Sequence, residues 1–249
     1  LRPLDQTAAQ PLAGTDGASF PFWAPDGRAI GFFANGKLKR LDLAAGGAPQ
    51  VLADAAVGGG GAWNGHGVIL FAATGTSGLL RVPATGGTPT PVTRLAPGQN
   101  SHRWPQFLPD GQRFLFLVGE GSGFVIYVGS LDGGEPARVV ASDAQPLYAP
   151  PNRLLYLRQG VLVAQSFDSA RASVSGEPLP VAQGVGSTAG SLAAIPSSVS
   201  ASGVLAYRSG TIGQRRQLAW MDRSGRTIGT LGPPDENALV RPVLAPDGS

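Results

Sequence analysis

The chain has 249 residues, of which 42% are hydrophobic and 14% charged, with a formal net charge of +3 and no cysteine. The basic residues are too few and too dispersed for a nucleic-acid-binding surface, and the lack of cysteine excludes disulfides and thiol chemistry. No apolar run is long enough for a membrane-spanning helix, so this segment is predicted not to cross a membrane. Glycine (37) and proline (22) are abundant, but they fall at regular turn positions between apolar strands, which predicts an all-β fold.

Residues 21–52 form the unit that organises the chain, and they read as four short strands joined by three turns. Ala24-Pro-Asp-Gly27 is typical of a type I turn, because proline presets φ at its second position. Asn35-Gly36 predicts a tight hairpin after the second strand, and the third strand ends at Gly46-Gly47. A single four-stranded sheet of this kind is apolar on both faces, so it needs neighbours of the same kind.

Copies of this unit follow along the chain. The aromatic or apolar residue before the turn gives the register, and it recurs as Trp23, Trp63, Phe107, Tyr148, Val199 and Leu244. The steps are about 40 to 51 residues, the repeat length of propeller blades. A second turn recurs in phase with the first, which makes two independent markers of the repeat.

The repeats predict one β-propeller domain over residues 1–249, built from four-stranded blades. The predicted full blades are residues 17–55, 57–98, 99–143, 144–186 and 187–235. Residues 1–14 resemble the outer half of another blade and residues 239–249 an inner strand, so we expect the two fragments to complete a sixth blade. The chain ends inside a turn motif, and we expect it to be a piece of a longer protein.

Prolines mark the inner strands. Pro21, Pro105 and Pro242 each stand two residues before the register position. Because proline donates no N–H to a sheet ladder, these residues are predicted on edge strands, and the inner strand of a blade has one edge open to the central channel. The glycine run at residues 58–61 predicts that the second inner strand lies close to the axis.

The x-Pro-x-aromatic-x-Pro-Asp-Gly pattern, carried by residues 19–27 and 102–111, resembles the TolB-like, WD-repeat-like propeller family. Together with residues 203–208 and 217–225, these sequence segments also look like the propeller region that follows the kinase domain of many bacterial serine/threonine protein kinases. That resemblance implies a sensor or docking module, whose kinase activity would belong to the parent chain.

No motif in the chain predicts catalysis. Gly31 to Lys37 has the spacing of a phosphate-binding loop, but Leu38 stands where Ser or Thr is needed. No Gly-x-Ser-x-Gly is present. The two histidines, His66 and His102, have no clustered carboxylates around them in the sequence, so we predict neither a metal site nor a cofactor. The segment itself is therefore predicted not to be an enzyme.

His102, Arg103 and Trp104 are the predicted binding residues. They open the third inner strand, and strand alternation sends His102 and Trp104 to one side and Arg103 to the other. The hypothesis is that His102 and Arg103 line the channel mouth and bind a peptide or protein terminus. The alternative is that Trp104 packs between blades and Arg103 pairs with a nearby carboxylate.

Three functions remain open. The first is a noncatalytic recognition module, the sensor of a receptor-like serine/threonine kinase. The second is the gating propeller of a prolyl-oligopeptidase-type serine peptidase, and the third is a periplasmic scaffold like TolB. The expected partner is a protein, a peptide or a small ligand at the central channel. We expect a monomer, with the periplasmic side of the membrane favoured and the cytoplasm as the alternative.

Overall fold

A computed structural model describes residues 1, 8–44, 46–185, 193–208, 216–222, 224 and 226–235. These residues contain twenty β-strands arranged in five antiparallel sheets of four strands. A search of the same residues finds no helix with the length and apolar character needed to cross a membrane.

Each sheet uses four consecutive strands. The first contains β1 (Ser19–Trp23), β2 (Ala29–Ala34), β3 (Lys37–Asp42) and β4 (Gln50–Asp54). The second contains β5 (Gly61–Trp63), β6 (Val68–Phe71), β7 (Leu80–Pro83) and β8 (Thr90–Pro91). The third contains β9 (Gln99–Phe107), β10 (Arg113–Glu120), β11 (Gly123–Ser130) and β12 (Ala137–Ala141). The fourth contains β13 (Leu147–Ala149), β14 (Arg153–Arg158), β15 (Val161–Asp168) and β16 (Ser173–Gln183), and the fifth β17 (Ser197–Val199), β18 (Leu205–Arg208), β19 (Arg216–Met221) and β20 (Thr227–Asp235).

The five sheets are blades around a common centre. The inner strands β1 and β5 contact each other, as do β5 and β9, and β13 and β17. The side-chain oxygen of Gln106 in β9 accepts a hydrogen bond from the Tyr148 N–H in β13, at 2.7 Å. Residues in or next to all five inner strands line one central cavity. The predicted all-β propeller is therefore confirmed.

The prediction of six blades is wrong, because the described residues form five. At the front of the chain, residues 8–18 contain no strand. Leu12 instead packs against the apolar face of the first blade, beside Ile30 and Phe32. Leu12 is therefore apolar because of this contact, although it lies in no strand. The other predicted fragment, residues 239–249, lies outside the described residues.

In the second and third blades, a side chain of the first turn holds that turn. Asp110 Oδ1 accepts hydrogen bonds from the backbone N–H groups of Gln112 (2.9 Å) and Arg113 (2.8 Å). Asn64 does the same in the second blade, where its Oδ1 accepts from the N–H groups of His66 (3.1 Å) and Val68 (2.9 Å). Such bonds are the reason that Asp and Asn favour turns.

Candidate functional site

The central cavity has a volume of about 150 Å³ and lies where the inner strands converge. Its lining residues are Phe20, Pro21, Gly60, Gly61, Trp104, Pro105, Gln106, Gln145, Pro146, Leu147, Ile195, Ser197, Ser198 and Val199. Pro21 and Pro105 are among them, which confirms that the repeated prolines mark channel edges. The third proline of the prediction, Pro242, lies outside the described residues.

An aromatic pair forms one wall of this cavity. Phe20 and Trp104 occupy the same position in the first and third blades, three residues before the register position, and their rings meet edge to face at 5.2 Å. Both residues have positive φ, 51° for Phe20 and 53° for Trp104. Each lies at a bulge where the pairing of the inner strand with its neighbour shifts. Left-handed backbone is strained for a bulky residue and tends to occur at functional sites.

Gly60 occupies the equivalent position in the second blade, with φ of +91°. A Cβ at Gly60 would overlap the indole ring of Trp104, and one at Gly61 would overlap the ring of Phe22. The glycine run thus brings the second inner strand close to the centre, as predicted. The space that its missing side chains leave is filled by aromatic rings of the neighbouring blades.

Two polar atoms on the cavity wall lack hydrogen-bond partners among the residues that the structure describes. They are the hydroxyl of Ser197 and the side-chain oxygen of Gln145, and both atoms are buried. Ser197 is only 6% exposed. A buried hydroxyl or amide without a partner costs about 1–3 kcal/mol, so both atoms favour a bound molecule that can hydrogen-bond to them.

Arg103 is a buried cation in the third inner strand, 8% exposed, and it is not among the residues that line the central cavity. Its Nη2 donates to the Gly75 carbonyl at 2.7 Å, while Nε and Nη1 have no partner among the residues that the structure describes. Its aliphatic stem passes the backbone of Gly59, and burial lowers the pKa of the guanidinium. Within the described residues no carboxylate pairs with it, so the alternative of an Arg103–carboxylate pair finds no support there.

His102 lies in a different place, between the second and third blades. It is 1% exposed, and its ring packs edge to face on Phe116 at 5.0 Å. Nδ1 is 2.7 Å from the Thr93 hydroxyl and Nε2 is 2.9 Å from Gln99 Oε1. Simple alternation predicted that His102 and Trp104 share a side. The bulge at Trp104 breaks that alternation, so Trp104 lines the central cavity and His102 does not.

The hydrogen bonds of His102 indicate its protonation state. Thr93 Oγ1 accepts from the Leu79 N–H, and Gln99 Oε1 accepts from the Ala96 N–H. The Thr93 hydroxyl can therefore donate to Nδ1 while Nε2–H donates to Gln99, which fits a neutral imidazole. Burial lowers the pKa of His102 to about 4.

This pKa predicts a stability that depends on pH. An unfolded histidine has a pKa of about 6.5, so between about pH 6.5 and pH 4 the unfolded chain binds more protons than the folded one. We expect the free energy of unfolding to be highest above this window and to fall by roughly 2–4 kcal/mol through it. Urea denaturation at several pH values measures this fall. It should largely disappear in His102→Gln and persist in His66→Gln, which changes an exposed histidine; an unchanged fall in His102→Gln would contradict the prediction.

Two cavity residues escaped the sequence analysis. Gln145-Pro146 matches the x-Pro signal two residues before Tyr148, so this position was readable. Ser197 lies in a small-residue stretch with no distinguishing pattern, and its place at the cavity follows only from the fold.

Comparison with known proteins gives one relative by sequence. The chain is 30% identical over 151 residues to an uncharacterized protein of Agrobacterium fabrum, a match that covers 55% of this chain and 48% of that protein. The chain therefore spans about half the length of this relative. No protein-family model matches the chain.

Solved structures give a wider likeness. TolB from Acinetobacter baumannii superposes with a TM-score of 0.69 at 19% identity, over 90% of this chain and 56% of that one. A calcium-binding regucalcin from Agrobacterium tumefaciens superposes with a TM-score of 0.66 at 18% identity, over 93% of this chain and 79% of that one. A prolyl endopeptidase structure superposes with a TM-score of 0.56 at 12% identity, over 88% of this chain and 35% of that one. The chain shares the propeller fold with all three.

Calcium binding is a property of that regucalcin, and the shared fold does not transfer it to this chain. Within the described part of this chain, no group of three or more His, Asp or Glu side chains could hold a metal ion. The groups that the central cavity does offer are aromatic rings, an amide oxygen and a hydroxyl, and the stem of Arg103 passes the adjacent Gly59.

Proposed function

We propose that this propeller is a noncatalytic recognition module that binds a peptide or protein segment at the central cavity. The observation that carries the proposal is the pair of buried, unpartnered atoms on the cavity wall, Ser197 Oγ and Gln145 Oε1. A peptide supplies N–H and C=O groups that can satisfy both atoms at once, and its apolar side chains fit against Phe20 and Trp104.

Arg103 extends the proposal to the charge of the ligand. A guanidinium with two buried, unpartnered nitrogens favours an anionic partner, because charge-assisted hydrogen bonds to a carboxylate are the strong ones. We propose that this partner is the carboxylate of a chain terminus or of an acidic side chain. Arg103 would then reach it through a small movement of the Thr74 to Gly78 loop, whose Gly75 carbonyl now holds it.

Arg103→Met tests the proposal, because methionine keeps much of the apolar stem and removes the charge. The probe is a library of random heptapeptides displayed with either free or amidated C termini. We expect the wild-type chain to select peptides, and Arg103→Met to bind the selected free-carboxylate peptides at least about tenfold more weakly. Its melting temperature should stay the same or rise, because the variant no longer buries an unpaired charge.

Arg28→Met is the matched control, since Arg28 is exposed in the turn at the far end of an inner strand. It should bind the same peptides as the wild type. A large drop in the melting temperature of Arg103→Met with unchanged peptide affinity would assign Arg103 a structural role. Equal selection of amidated peptides would remove the carboxylate from the proposal while leaving the central cavity as the site.

We further propose that the module works within a longer protein, as the sensor of a receptor-like serine/threonine kinase. A TolB-like scaffold and the gating propeller of a prolyl-oligopeptidase-type peptidase are the alternatives, and the fold likeness to TolB and to prolyl endopeptidases supports those two. The parent reading frame distinguishes them. Kinase motifs and a membrane helix upstream support the sensor, a downstream Gly-x-Ser-x-Gly supports the peptidase, and the absence of both supports the scaffold.

A further inference from the structure

A second cavity, of about 400 Å³, lies between the second and third blades. We call it the inter-blade cavity. Its lining residues are Arg94, Ala96, Pro97, Gly98, Gln99, His102, Phe116, Glu120, Tyr127, Glu135 and Pro136. None of these lines the central cavity.

Unequal strand lengths create the inter-blade cavity. The third blade has strands of eight residues in β10 and β11, whereas the outer strand β8 of the second blade has two residues, Thr90–Pro91. Pro89 and Pro91 donate no N–H, which keeps that outer strand short. Leu70 and Leu79 of the second blade pack against Phe114 and Phe116 of the third. The part of the same face between Phe116 and residues 94–98 is left open and forms the inter-blade cavity.

The floor of the inter-blade cavity is aromatic and rigid. Phe116 is fully buried, and its ring lies 6.0 Å from that of Tyr127 across the β10–β11 pair. His102 packs on the other side of Phe116, and both of its ring nitrogens are already held by Thr93 and Gln99. Because these neighbours bury Phe116 completely, the aromatic face that the floor offers is that of the half-buried Tyr127, and His102 offers no free hydrogen-bonding nitrogen.

One wall of the cavity is the carboxylate of Glu120, whose two oxygens are held to different degrees. Glu120 Oε1 accepts hydrogen bonds from the Tyr127 hydroxyl and, at 3.4 Å, from Gln99 Nε2. Glu120 Oε2 has only a loose ion pair, at 3.9 Å, with the largely exposed Arg138. Glu135 adds a second carboxylate at the rim, and the exposed Arg94 is the one cation that lines the cavity.

We propose that the inter-blade cavity binds a small organic ammonium ion with an apolar body. Its ammonium group would donate to Glu120 Oε2, and its apolar body would lie over the half-buried ring of Tyr127. Aromatic faces attract cations and also bury hydrocarbon, so the floor serves both parts of such a ligand. An anion would meet the carboxylates of Glu120 and Glu135, and the ammonium group would take the place of Arg138, which now lies 3.9 Å from Glu120 Oε2. This site is independent of the peptide site proposed at the central cavity.

Calorimetric titration of the full chain with three matched probes tests this site. The probes are phenethylammonium, the neutral 2-phenylethanol and the anionic 3-phenylpropionate, which share an aromatic body and differ in charge. We expect phenethylammonium to bind at least about tenfold more tightly than the other two, and Glu120→Gln to remove about that factor. Glutamine retains an acceptor for the Tyr127 hydroxyl, so the melting temperature should change little.

Two further variants make the result decisive. Asp54→Asn changes a carboxylate on the first blade whose side chain is 85% exposed, and it should bind phenethylammonium as the wild type does. Arg103→Met should also leave this binding intact, which separates the inter-blade cavity from the central one. The proposal is overturned if 2-phenylethanol binds equally well, or if Glu120→Gln and Asp54→Asn weaken phenethylammonium binding to the same degree. It is also overturned if phenethylammonium shows no heat of binding at millimolar concentration.

Discussion

Trp104→Ala is expected to lower the free energy of unfolding by about 3–5 kcal/mol, the usual loss when a buried tryptophan is truncated. The indole is 8% exposed. It joins a cluster that includes Leu117, Ile126 and Tyr156 of the third and fourth blades. It also meets Phe20 of the first blade edge to face. Its removal therefore leaves a cavity at the point where three blades meet, and urea denaturation measures the loss.

Trp63→Ala is the matched control, because Trp63 is half-buried in the neighbouring inner strand. It should cost clearly less than Trp104→Ala. A second check uses Gly60, whose added methyl would overlap the Trp104 ring. Gly60→Ala should be less destabilising in the Trp104→Ala background than in the wild type, because the overlap has gone while the strain of positive φ remains. Equal losses in both backgrounds would show that the two sites are not in contact.

Gly78→Ala is expected to destabilise the second blade by at least about 1–3 kcal/mol, the usual cost of overpacking. A Cβ at Gly78 would overlap the Thr93 carbonyl oxygen and lie 2.8 Å from its carbon. The obstacle is backbone, so a side-chain rotation cannot relieve it. The close approach also serves the neighbouring site, since Leu79 N–H and His102 both bond to the Thr93 hydroxyl.

Gly65→Ala provides the control for this prediction, because a Cβ at Gly65 in the same blade would meet nothing within 4 Å. Its effect should stay within a few tenths of a kcal/mol. Thermal unfolding of both variants gives the comparison. Equal melting temperatures of Gly78→Ala and Gly65→Ala would contradict the close approach of the Gly78 backbone to the Thr93 carbonyl.

The turn chemistry of the repeat made most of the fold predictable. Turn residues such as Asp110 and Asn64 mark where the first two strands of a blade join, and proline at positions 21 and 105 marks the channel edge. Blade number was not predictable from these local signals. Leu12 resembles an outer-strand residue, and only its packing on Ile30 and Phe32 shows that it covers a face.

The candidate site was predictable in part. The sequence directed attention to residues 102–104, and the structure brings Trp104 to the central cavity and His102 to the inter-blade cavity. The difference arises at Trp104, where a left-handed residue shifts the pairing of β9 with β10. A single bulge of this kind reverses the side on which a residue points, and nothing in the residue types around it reports the reversal.

The contact of Phe20 with Trp104 over Gly60 also limits how the repeats can be rearranged. Tandem repeats usually tolerate exchange or duplication of single units, since each one touches only its neighbours. Here Phe20 of the first blade and Trp104 of the third meet across the backbone of Gly60 in the second blade. A copy of either flanking unit inserted in the middle would bring its own bulky ring to the same point. The unit between these two therefore needs glycine at the position of Gly60.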